Sequence, residues 1–303
     1  MVHRRTSLLR YLLLAAMLAL FLFISSFWLR EYLNVFGLRY HQCRWILFLF
    51  QPEPPLSPEE WAWPDGVPPL LEECPGQSFQ TWRLLQHLKS SLQVEGDVLL
   101  EPYLLSWDQL LKFMDSLGTM VSFFSQKVNQ KVTLIRELSL KHRAETHGKR
   151  GPAADSSGLQ NTVYHSVRSM VEAELKEGVV SFSWRTESGC RTLLRLHRSL
   201  LWLKLMLEGL SEGPDSDGHL RTPGELSRDA YRVALAPHHP WVLRQAAEML
   251  FLALPDRQHF LQLVCVQNQS EATPILRIII RALTLVHERT QRILAEHEML
   301  ELP

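Results

Sequence analysis

The order of apolar and polar positions divides the chain into three parts. Residues Tyr11–Leu29 (YLLLAAMLALFLFISSFWL) carry no charged side chain, a run long enough for a helix to cross the hydrocarbon core of a bilayer, ~30 Å thick. A second apolar run, Trp45–Phe50, is too short to span and suits the membrane interface. From Gln51 to Gln77 the pattern dissolves among Pro52, Pro54, Pro55, Pro58, Pro64, Pro68, Pro69 and Pro75. Such density removes backbone donors and fixes φ, which leaves a stiff, extended linker. Near Phe79 apolar residues return at three- and four-residue spacing, the period of helices with one buried face. The expected organisation is therefore 1–50 as anchor and juxtamembrane segment, 51–78 as linker and 79–303 as folded domain.

Capping signals punctuate the domain. Ser106 with Gln109 has the capping-box pattern and opens a long helix to about Leu140. Asn161–Lys176 is a second periodic segment and Glu187–Leu210 a third. Thr222, Pro223 and Glu225 form another capping box, with proline at the first helical position. Asp256, after Pro255, caps a short helix, and Thr273–Pro274 opens the last long one, which ends near His297. Ala144–Gln160 and Ser211–Arg221 are rich in Gly, Pro, Ser and Asp and read as loops. Alternating strand patterns with hairpin turns are missing, so the fold class is all-α.

The helix from Glu187 to Leu210 carries the chemistry. At 100° per residue Arg191, Arg195, Arg198 and Trp202 share one side, which continues through Leu205 and Met206. The stripe is cationic at its N-terminal end and apolar beyond. Ser188 is the N-cap candidate, which puts Arg191 in the first turn, where the helix dipole disfavours a cation by roughly 0.3–1 kcal/mol. An anion held beside the first N–H groups would reverse that preference; three surface arginines on the rim of a bundle are the alternative. The preceding long helix repeats the design, with Lys127 and Lys131 one turn apart and Phe124, Met120 and Phe113 leading away from them. Ordinary snorkelling of lysine stems explains that pair equally well. His239, before Pro240–Trp241, falls at the mouth of another helix.

Charge and composition narrow the partners. The 303 residues hold 32 Lys and Arg against 32 Asp and Glu, and zero net charge argues against nucleic acid. Cys43, Cys74, Cys190 and Cys265 show no C-x-x-C pair and no metal spacing, and Cys190 reads as a buried thiol. Neither a catalytic signature nor a phosphate-cradling glycine loop is present, so no enzyme activity, metal or cofactor is expected. Asn268-Gln269-Ser270 is a glycosylation sequon, meaningful only in a lumenal domain. Phe23 and Ile24 before Ser25 and Ser26 make a poor signal-peptidase site, which favours a retained single-pass anchor. Positive charge before the span places the domain in the lumen, but Arg30, Arg39 and Arg44 follow closely and weaken that bias.

SLGTMVSFFSQKVNQKV, ESGCRTLLRLHRSLLWL, HHPWVLRQA and the closing LAEHEMLELP resemble the glycolipid transfer protein family, most closely its ceramide-1-phosphate branch, over essentially all of Phe79–Pro303. The resemblance implies a two-layer helical sandwich with a hydrophobic pocket, which carries single sphingolipids or phospholipids between membranes without covalent chemistry. It also favours a cytosolic domain, so the side of the membrane stays open. By motif, the family's headgroup residues fall on Lys131, Arg191, Arg195 and His239, and Trp202 on an apolar pocket position. Arg195 stands where glycolipid-binding members stack a tryptophan on sugar, and arginine suits phosphate better. Lys127 stands where the family has an aspartate that accepts the ceramide amide N–H. An ammonium only donates, so it adds charge to the headgroup site instead. The expected pocket comprises Phe113, Met120, Phe124 and Trp202. Transfer of ceramide-1-phosphate is the first functional expectation; a membrane-anchored lipid sensor or presenting module, for an anionic glycerophospholipid, is the alternative.

Overall fold

A computed structural model describes residues 73–149 (backbone alone for 145–149), 163–214 and 217–303. The expected anchor and most of the linker lie outside these residues. Among the described residues, no helix is long and apolar enough to cross a membrane.

Among the described residues nine α-helices follow one another: α1 Thr81–Ser91, α2 Leu100–Asp115, α3 Thr119–Lys149, α4 Val167–Lys176, α5 Gly189–Ser211, α6 Pro223–Ala234, α7 Trp241–Leu252, α8 Arg257–Leu263 and α9 Gln269–Glu296. Short 3₁₀ turns at Ala236–His238 and Met299–Glu301 complete the described chain. Side-chain caps set most of the starts. Ser188 accepts from the Arg191 N–H, Thr222 and Glu225 close a reciprocal capping box, and Asp256 accepts from the His259 N–H, each satisfying donors that a helix end leaves over.

Three expected boundaries move. Ser106 and Gln109 lie inside α2, both buried, and the Ser106 hydroxyl donates back to the Tyr103 carbonyl at 2.6 Å. The expected long helix is two helices, because Gly118 at φ +107° adopts a backbone that side chains resist and glycine tolerates. α3 then runs on through Lys149, into the expected loop. The last helix starts at Asn268, whose carboxamide accepts from the Glu271 N–H at 3.0 Å, so Pro274 sits within α9 and costs it one backbone bond. Between Asn161 and Lys176 the helix begins only at Val167, behind a Ser166–Ser169 capping box.

α5 lies at the centre, packed most extensively on α9 and α6 and also on α3 and α4. Leu193, Leu196, Leu200 and Met206 bury its inner face. Both its ends are held by other helices. At the C-terminus, the Arg257 guanidinium donates to the carbonyls of Leu210 and Glu212, each at 2.9 Å. On α9, His287 stacks against His197 of α5, ring centroids 4.0 Å apart.

Residues Glu73–Gln80 are drawn onto the domain as a strap. A disulfide joins Cys74 to Cys265, with Cα atoms 5.9 Å apart. The Gln80 carboxamide brackets Cys74 through its N–H and its carbonyl, and Gln77 donates to the Gln262 carbonyl at 2.8 Å.

Candidate functional site

The N-terminus of α5 does hold an anion, and the anion is internal. Glu174 of α4, 2% exposed, accepts from the N–H groups of Gly189 and Cys190 at 2.6 and 2.9 Å. A Cβ on Gly189 would lie 2.9 Å from the Glu174 carboxylate and 2.7 Å from the Met170 sulfur, so glycine permits this approach. The first-turn donors expected to face an external phosphate are thus already engaged. Cys190 is a free, buried thiol as expected, and burial beside Glu174 pushes its pKa up. Any capacity for an external anion rests on side chains.

Those side chains converge from three elements. Lys131 on α3, Arg195 and Arg198 on α5 and His239 ahead of α7 act electrostatically on one another. Burial, then Arg195 and Lys127, lowers the Lys131 ammonium from 10.5 to about 8; its Nζ donates to the Lys127 carbonyl at 2.9 Å. Burial, then Arg195 and Arg185, lowers Arg191 to about 10. Arg195 is the exposed member. His239 is lowered to about 4 by burial and by His238, Lys131, Arg198 and Arg195, so its ring is neutral at pH 7. Its Nδ1 lies 2.9 Å from the Tyr231 hydroxyl. Lys127 is half-buried and reaches Gln130 at 3.5 Å.

Two of the arginines also have structural work. Arg198 donates to the Leu300 carbonyl at 2.6 Å, and Arg191 to a Pro303 backbone oxygen and the Thr186 carbonyl. The alternative of rim arginines is therefore partly true of Arg191 and Arg198.

Beyond the cations, the expected apolar residues separate. Phe113 is buried and lines an apolar cavity with Phe79, Leu110, Leu203, Leu207, Phe260 and Ile279. The cavity holds about 20 Å³, room for about one water. Trp202, Met120 and Phe124 are not among its walls. Trp202 donates to the Ser227 carbonyl at 3.1 Å and packs against the cluster of Tyr231, Ala247 and Phe251, next to His239. Phe124 is half-buried against Phe123. Met120 is exposed at the start of α3, because the break at Gly118 redirects the helix that would have carried Phe113 and Met120 on one stripe.

Residues 98–266 match the family described as glycolipid transfer protein (GLTP). The human ceramide-1-phosphate transfer protein is 38% identical over 223 residues, which cover 73% of this chain and 94% of the relative. The chain belongs to the glycolipid transfer protein family. The crystal structure of that human protein in complex with 12:0 ceramide-1-phosphate aligns with a TM-score of 0.61 at 36% identity, covering 73% of this chain and 97% of the other. The apo mouse protein aligns with a TM-score of 0.62 at 33% identity over 74% of this chain and all of the other. The domain accordingly has the all-helical fold of the glycolipid transfer protein family.

Sequence reasoning missed several residues beside the cationic side chains and the cavity. Tyr231 and Glu174 act through partners on other helices, which no spacing within one helix reveals. Nothing in the spacing of Phe260 on α8 or Ile279 on α9 distinguishes a cavity wall from ordinary core. On α7, Trp241 and Leu252 are 67% and 72% exposed and fall within about 20° of each other at 100° per residue. Met249 is also exposed there. The HHPW motif drew attention to the histidine and not to the tryptophan beside it.

Proposed function

We propose that the chain binds a single phosphosphingolipid, ceramide-1-phosphate, and moves it between membranes. The observation that carries this is the convergence of Lys131, Arg195 and His239 from three elements on a fold whose human relative was crystallised with that lipid. Lys131, Arg191 and Arg195 hold the phosphate through charge-assisted bonds, and Lys127 adds positive charge. Neutral His239, with Nδ1 facing the Tyr231 hydroxyl, offers Nε2–H to the amide carbonyl. Phe113 and its neighbours receive the chains, and Trp202 walls the region below the head.

A carrier is needed because exposing one chain of about fifteen carbons costs on the order of 12 kcal/mol, at about 0.8 kcal/mol per CH₂. The walls close on about 20 Å³, so the helices part as chains enter. Exposed Trp241, Met249 and Leu252 dock the mouth on a membrane surface, where amphipathic aromatics settle. Tyr11–Leu29 tethers the chain to one membrane in this reading.

Lys127 favours a specific second outcome, an anionic glycerophospholipid, which has no amide N–H to satisfy. Native mass spectrometry of the protein after incubation with mixed sphingolipid and phospholipid vesicles decides between them. Retained ceramide-1-phosphate that Arg195→Ala weakens by tenfold or more supports the proposal, since one charged hydrogen bond contributes about 1.5–3 kcal/mol. Glycerophospholipid alone replaces the ligand class, and no retained lipid removes the function. A vesicle transfer assay on anchored and truncated forms separates transfer from sensing.

A further inference from the structure

Two features lie outside the cationic cluster. The first is the Cys74–Cys265 disulfide, between residues 191 apart in sequence. The second is Asn268-Gln269-Ser270, three residues beyond Cys265, and no other N-x-S/T triplet with a non-proline centre occurs in the chain. Both Asn268 and Ser270 are exposed. The structure assigns to this domain an extracytosolic location, with Cys74–Cys265 formed there and a single N-linked oligosaccharide on Asn268.

The disulfide is the first support. Cross-links of this kind persist in oxidising compartments and are rare where thiols are kept reduced. Forming it takes two protons and two electrons from Cys74 and Cys265, which an oxidised dithiol of that compartment accepts. Cys265 is exposed to such a partner while Cys74 is buried beneath it.

The geometry of the sequon is the second. Asn268 is the N-cap of α9: its Oδ1 accepts from the Glu271 N–H at 3.0 Å and the Ser270 hydroxyl at 2.6 Å. Its Nδ2 donates one hydrogen to Glu271 at 2.7 Å. Glycosylation replaces the other. Nδ2 bonds to the anomeric carbon of a lipid-diphosphate-linked oligosaccharide, the diphosphate leaves with the bonding pair, and Nδ2 gives up one proton. The cap oxygen and the Glu271 bond survive, so the modified residue still starts the helix.

Position is the third. Gln269 donates to the Leu210 carbonyl at 2.9 Å, which fixes Asn268 beside the C-terminal end of α5. Arg191 and Leu210 are separated along α5 by about 28 Å at 1.5 Å per residue. An oligosaccharide on Asn268 therefore stands clear of the cationic end of α5. Tyr11–Leu29 offers a route into the secretory pathway. None of this rests on the identity of the lipid.

The test is expression of the full chain in mammalian cells, with enzymatic removal of N-glycans before electrophoresis and peptide mapping without reduction. The expected result is one discrete gain in mobility for the wild type and for Ser270→Thr, which keeps the sequon. Ser270→Ala and Asn268→Asp should run at the deglycosylated position from the start. Aspartate caps a helix as well as asparagine, so the Asn268→Asp chain folds. Peptides containing Cys74 and Cys265 should be recovered linked. A wild-type chain whose mobility deglycosylation leaves unchanged overturns the proposal, and so does recovery of Cys74 and Cys265 as free thiols.

Discussion

Lys131 keeps its ammonium among other cations and largely away from water, so the site relinquishes that proton more readily than a surface lysine does. Its value near 8 lies below the ordinary one, so between pH 8 and about 10.5 the unfolded chain binds more protons than the folded. Stability therefore rises with pH across that window. Phosphate affinity runs the other way, because a bound anion favours the charged form. Affinity for a short-chain ceramide-1-phosphate should fall about tenfold or more from pH 7.5 to 9.5, measured by calorimetry, and Lys131→Arg should flatten the profile. At this scale the sequence was informative about type and poor about partner. Spacing alone put Arg191, Arg195 and Arg198 on one side of a helix. That Glu174 would occupy the first N–H groups of α5 depends on a chain reversal between α4 and α5, and no local pattern encodes it. Lys127 was legible as a departure only because motif resemblance supplied something to depart from.

Helix by helix, the interface of α5 with α9 contains a liability. His197 is 3% exposed, its Nε2 lies 2.5 Å from the Gln291 carboxamide oxygen, and the His197 Nδ1 and His287 Nε2 have no hydrogen-bond partner among the described residues. Burial, together with Arg198, lowers His197 to about 4; burial, His197 and Lys204 lower His287 to about 2. Both folded values lie below the ordinary 6.5. Stability is therefore full above about pH 6.5 and declines as pH falls, because the unfolded chain takes up protons first. Thermal melts should show Tm falling steadily from pH 6.5 to 4, and His287→Phe, which keeps a ring in the stack, should reduce that slope. Caps written in sequence neighbours, such as Thr222 with Glu225 and Asp256, were legible. The break at Gly118 was not, since a lone glycine within an apolar period reads as a tolerated helical residue until its φ is known.

Across the whole molecule, the lipid capacity proposed above depends on walls that begin in contact. A bulky side chain among them should block chains without disturbing the cations some turns away. Leu207→Trp overpacks the cavity at a cost of about 1–3 kcal/mol. It should lower vesicle transfer of long-chain ceramide-1-phosphate at least tenfold while binding of a short-chain analogue persists. Unchanged transfer of the long-chain lipid would mean that the cavity and the cationic cluster do not form one site. The all-helical fold was readable from periodicity, but the chamber was not, because its walls come from the strap, α1, α2, α5, α8 and α9 together.

Glu174 at one end of α5 and Arg257 at the other prevent that helix from sliding along its own axis. Room for chains must then come from neighbours moving sideways, so the chamber widens while its depth stays constant. Arg195 and Leu210 stand about 22 Å apart along α5 at 1.5 Å per residue. In the proposed function the central helix thus acts as a ruler: chains up to its length are accommodated by lateral give, and longer ones meet a fixed floor.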